Sequence, residues 1–171
     1  MANVETVKLL CQLYQDQLDL EEDRVFPHNA KWNLKQDQGI YIAVNMMNAT
    51  PYGVNVRTQE NTDNNSLEEV QSMNERQMIS VNILSKDRSA ALRCHELIFA
   101  MNSIQCQQLQ ETYSFRVADL PTSFTDVSHI EGPTRLNRYA LTFNILRSYE
   151  RTRTIEWYDT FTIPPTLLTN Q

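Results

Sequence analysis

The last third of the chain is written in period two. Tyr139, Leu141, Phe143 and Ile145 alternate with smaller or polar residues, and Ile155, Trp157, Phe161 and Ile163 repeat the pattern. Successive side chains of a strand point to opposite faces, so each run is a strand with one apolar face to bury. The charged segment between them, "RSYERTR" at 147–153, reads as a turn or projecting tip. Residues 138–164 are therefore expected to form a long C-terminal β-hairpin.

Upstream the period changes several times. Val4, Val7, Leu10, Cys11, Tyr14 and Leu18 recur at helical spacing and predict an amphipathic N-terminal helix over 1–18. Residues 19–38 carry charge, a proline and no period; they read as a connection pinned by Phe26 and Trp32. "GIYIAVNMM", "NATPYG" and "VNVRTQE" then read as strand, turn and strand, a first hairpin. The polar stretch "NTDNNSLEEVQSMNER" reads as a solvated loop.

Ile79, Val81 and Ile83 alternate as a strand before the spacing turns helical, with Ser85 or Asp87 placed to cap and Ala91, Cys94, Leu97, Ile98 and Met101 on one face. A Gln-rich connection leads to a strand with Tyr113, Phe115 and Val117, then to a long ordered loop from Pro121 to Arg135.

This order predicts an α+β fold. A single domain over 1–171 is expected: the N-terminal helix at 1–18, then an antiparallel or mixed β-sheet and second main helix within 39–164, then a tail at 165–171. A length of 171 residues with 41% hydrophobic content suffices for one core.

Candidate chemistry is sparse. Cys94 and His95 are neighbours, and adjacent helical residues point about 100° apart, which ill suits a shared proton. Cys11, Cys94 and Cys106 with His28, His95 and His129 show no close ligand spacing of the kind structural zinc sites use. Glu156 and Asp159 sit on opposite faces of a regular strand, so they do not form an acid/base pair. No catalytic, cofactor or metal residue is expected. The scattered, odd cysteines suit a reducing compartment, and neither a secretory signal nor a membrane span is expected. A net charge of −6 disfavours binding to a phosphate backbone.

What remains is a cluster of arginines in an acidic chain. Arg135, Arg138, Arg147, Arg151 and Arg153 are candidate interface residues, suited to bidentate contacts with the acidic stretch 60–75 of an adjacent copy. Asp159 shares the face of Trp157 and Phe161 and is expected to pair with an arginine.

Over 77–164, the order of "QMISVNILSKDRSAALRCHELIFA", the proline-bearing loop, "LNRY" and the "WYD" strand resembles the neck or tail terminator proteins of long-tailed bacteriophages. The resemblance implies a non-enzymatic virion protein, assembled in the host cytoplasm. It would form a hexameric ring that stops tail-tube growth and meets the head-tail connector. The tail tube, the connector and, as a further candidate, the tail sheath are the implied partners, with DNA passing through the lumen unbound. A head-completion ring subunit is the nearest alternative, and a small phage-encoded hydrolase or nuclease the alternative from another class.

Overall fold

A computed structural model describes residues 5–28, 39–61, 66–120, 123–131 and 134–155. It is α+β with a mixed sheet. Helix α1 (Thr6–Leu18) is followed by a short 3-10 turn (Glu22–Arg24) and strand β1 (Val25–Pro27). Two long strands, β2 (Tyr41–Asn61) and β3 (Ser66–Ser85), lead to helices α2 (Ser89–Arg93), α3 (Glu96–Met101) and α4 (Ile104–Tyr113). Strands β4 (Phe115–Ala118), β5 (Thr125–Asp126) and β6 (His129–Glu131) precede the long β7 (Thr134–Ile155). The sheet runs β1-β2-β3-β7-β4, with β5 and β6 also on β7. Only β1 with β2 is parallel among these pairings.

The core forms where the predicted alternations meet. Ile42 and Val44 of β2, Ile79, Val81 and Ile83 of β3, and Leu141, Phe143 and Ile145 of β7 share one sheet face and are buried. Val7, Leu10, Leu13, Tyr14 and Leu18 of α1 pack on that face, with Leu97, Ala100, Met101 and Cys106 from the later helices. Each such aliphatic side chain contributes about 1.5–3 kcal/mol on burial. A smaller cluster of Phe26, Tyr41, Ala43, Leu84 and Leu136 covers the other face. The predicted first helix is present, as is the inward set of β3, and Phe26 is buried. Val4 and Trp32 lie outside the described residues.

Several expectations are corrected. "NATPYG" is not a turn, because β2 runs straight through it and remains paired with β3. Its Pro51 is tolerated because it has no N–H to give and β2 borders only the short β1 on its far side. Residues 66–76 are not a loop but the first half of β3. "RSYERTR" is not a tip either: residues 147–153 lie within β7, in continuous register with β3. Ile155, expected to open the second arm of the C-terminal hairpin, instead ends β7 opposite Leu67; the rest of that arm, with Trp157 and Asp159, lies outside the described residues.

The expected second helix is two short ones, α2 and α3. The N-cap position of α2 is Arg88 and not Ser85 or Asp87, but both of those side chains still hold the helix start, Ser85 Oγ accepting from Ala90 N at 3.0 Å and Asp87 Oδ1 from Ser89 N at 2.9 Å. Ala91 is exposed rather than on the buried face. The Gln-rich connection is α4, capped by Ser103 Oγ accepting from Cys106 N. Tyr113 ends that helix instead of opening a strand. Within the expected long loop, β5 and β6 pair with the start of β7.

Candidate interaction arm

Beyond the core, β2, β3 and β7 continue together as a three-stranded arm. Every position of β2 from 46 to 59 is exposed, as are 150–154 of β7. The register decides which side chains share a face. Starting from the core face, the β3 row is Gln77, Glu75, Met73, Gln71 and Glu69, and the β7 row is Ile145, Arg147, Tyr149, Arg151 and Arg153.

On β2 the register shifts between Met46 and Asn48 and again between Tyr52 and Val54. Each shift is a bulge, an extra residue that moves the following side chains to the other face. The face shared with β3's odd-numbered row therefore carries Met46, Ala49, Pro51, Val54 and Val56, an apolar line along an exposed strand. Asn48, Thr50, Tyr52, Asn55, Arg57 and Gln59 take the other face, where Arg76 lies 6.0 Å from the Tyr52 ring. Gly53 sits at the second bulge with φ +67°, the left-handed region that glycine enters without a Cβ penalty. On that other face of β3, Val70 is buried in register with Arg57 and Thr152.

The arginines separate into classes. Arg147 is 9% exposed, donates from Nη1 to Thr6 Oγ1 at 3.1 Å and lies 5.2 Å from the Tyr149 ring, so it ties the start of α1 to the sheet. Arg138 donates from Nε to Asn82 Oδ1 at 3.0 Å, while its backbone N–H donates to Ser128 Oγ at 2.9 Å. Arg151 and Arg153 are exposed and, among the described residues, form no ion pair. For Arg135 the description extends to the backbone, which pairs with Ile130.

The acidic stretch expected to meet these arginines from a neighbouring copy lies beside them in the same chain. Glu75 is opposite Arg147 and Glu69 opposite Arg153. Glu69 takes its hydrogen bond from the Gln71 amide.

A cavity of about 270 Å³ opens where the arm leaves the body, lined by Glu5, Thr6, Met46, Glu75, Gln77, Arg147 and Tyr149. Gln77 is 4% exposed; its Nε2 donates at 3.1 Å both to Glu75 Oε1 and to Tyr149 Oη. A carboxylate only accepts, so the bond to Glu75 fixes the amide orientation. Burial pushes the Tyr149 phenol up, with Arg147 working against it. The arrangement is a polar junction holding helix to arm.

The cysteine environments are apolar. Burial, reinforced by Glu5, raises the Cys11 thiol to about 11, and burial likewise raises Cys94 and Cys106. Cys94 Sγ lies 3.4 Å from the Ala91 carbonyl, and His95 packs edge-on against Phe99 at 5.4 Å. Among the described residues no group of three His, Cys, Asp or Glu side chains is placed to hold a metal ion, and no helix is long and apolar enough to cross a membrane.

The bulges and the apolar line they gather were missed from sequence. The available signal was a run of β-formers broken by a single Gly and a single Pro, too little turn chemistry for two reversals. Compared with known protein families and with curated proteins, the chain matches none.

Proposed function

We propose that the protein is a structural, non-enzymatic virion component: the subunit of a hexameric ring at a phage neck that terminates the tail tube and joins the tail to the head connector. The observation that supports this reading is the arm. A sheet extension whose outer strand is exposed at every position from 46 to 59, with Arg151 and Arg153 exposed on β7 and forming no ion pair among the described residues, favours a surface for another protein over a support for a site.

The mechanism is geometric. The helices and the buried half of the sheet act as one packed body, while the arm reaches a neighbour, the tube or the connector. Among the arginines, Arg151 and Arg153 carry the docking role and Arg147 supports them from within. A net charge of −6 suits a lumen through which DNA slides without adhering.

Adding the purified protein to polymerising tail-tube protein and imaging the products tests the reading. Tubes ending in six-fold caps are expected. Binding to connector complexes and not to tubes would move the subunit to the head side, as a head-completion ring. Binding to neither would sink both assignments.

A further inference from the structure

The large exposed hydrophobics of the described residues fall mainly into two groups. One is on the arm, where Met46, Val54 and Val56 share the apolar line, Met47 sits at the first bulge, and Tyr52 and Met78 lie on the other face. The other is on the helical layer, where Leu92, Phe99 and Ile104 are 71%, 67% and 73% exposed. Cys94 and His95, at the junction of α2 and α3, keep right-handed helical backbone. Leu92, His95 and Phe99 therefore follow i, i+3, i+7 spacing and form one ridge, with Ile104 opening the next helix.

We propose that these two patches are the halves of one contact: the arm face bearing Val54 and Val56 packs on the Phe99 and Ile104 surface of a second copy of this chain. The inference rests on the ring reading and deepens it by naming the surfaces. A head-to-tail contact joins two different patches of the same molecule, and its repetition closes a ring when the rotation between neighbours is a whole fraction of a turn. An arm-on-arm contact would leave the helical ridge uncovered.

Charge supports the pairing. The arm face presents Arg151 and Arg153 on β7, across the Gln71 and Glu69 row of β3 from its apolar line. Next to Ile104, Gln105 Nε2 donates to Asp16 Oδ2 at 2.8 Å, which places the end of α1 beside α4. Residues 16–23 contain Asp16, Asp19, Glu21, Glu22 and Asp23 and no Lys or Arg. Asp16, Asp19 and Glu22 are exposed. Size fits as well: residues 68–78 across three strands span about 36 by 14 Å, on the order of 500 Å² in projection for one face. Side-chain relief brings that towards the roughly 800 Å² per partner of a standard interface.

The test uses two full-length variants, Val54→Asp/Val56→Asp on the arm and Phe99→Asp/Ile104→Asp on the ridge, each checked for an unchanged circular dichroism spectrum. Sedimentation and chemical cross-linking follow self-association up to about 1 mM, where even weak contacts are populated. Wild-type protein is expected to associate beyond the dimer and each variant alone to remain monomeric. An equal mixture should stop at a dimer, because it keeps one intact arm and one intact ridge.

A monomeric wild type, a variant that associates like wild type, or a mixture that stays monomeric would each overturn the proposal. The ring reading fails separately. A mixture that pairs as expected while wild-type protein leaves tail tubes uncapped would retain this contact and remove the neck assignment.

Discussion

Arg147 Nη1 donates to Thr6 Oγ1 at 3.1 Å, a bond that joins the last long strand to the first turn of the first helix across 141 positions. Both residues are buried. Replacing Arg147 with Ala removes a charge-assisted bond and the packing of the guanidinium on Tyr149. It is expected to cost about 2–3 kcal/mol in urea unfolding. Thr6→Val, which keeps the shape and loses the acceptor, is expected to reproduce part of that loss.

Arg151 and Arg153 should behave in the opposite way. Both are exposed, so Arg151→Glu/Arg153→Glu is expected to shift unfolding by no more than about 0.5 kcal/mol. The same double variant is expected to lose association with tubes or with a second copy, read by sedimentation. Unchanged assembly would remove these residues from the docking surface.

Tyr14 is fully buried in the core and its hydroxyl has no hydrogen-bond partner among the described residues; burial also pushes the phenol strongly up. An unsatisfied buried hydroxyl costs on the order of 1 kcal/mol or more, so Tyr14→Phe is expected to leave the melting temperature unchanged or raise it. A clear fall would mean that the hydroxyl finds a partner in solution.

Cys11 provides a pH test. Its folded value of about 11 lies above the ordinary 9.0, so the folded chain holds this proton more tightly than the unfolded one. The associated stability is fully present below pH 9 and is lost as pH rises towards 11. Alkylation of Cys11 at pH 8 is expected to be slow until urea opens the fold. Rapid labelling of Cys11 in native protein would contradict the raised value that its half-buried setting gives the thiol.

The half of the sheet that carries helices was legible because burial imposes a pattern: one covered face makes Ile79, Val81, Ile83, Leu141, Phe143 and Ile145 alternate with polar neighbours. The arm was not. Where neither face is covered, no hydrophobic period is required, and "SLEEVQSMNER" looks like any solvated segment. "RSYERTR" was misread for its charge, although it contains no Gly, Pro, Asn or Asp to make a reversal.

The division among the arginines was half visible. Arg147 is two residues beyond Ile145 and so continues the core face, but only the end of α1 lying over it explains its burial. Arg151 and Arg153 continue the same row past the last cover.

The two bulges in β2 set Met47 and Gly53 outside the ladder, since the partners of the residues flanking each are consecutive on β3. Deleting Gly53 would leave Tyr52 followed by Val54, still opposite Asn74 and Met73, and deleting Met47 would leave Met46 followed by Asn48, still opposite Ile79 and Met78. Either deletion is expected to turn a bulge into regular ladder while Val54 and Val56 keep their face. The length of β2 can thus vary by one residue at either bulge while the surface at its tip stays the same.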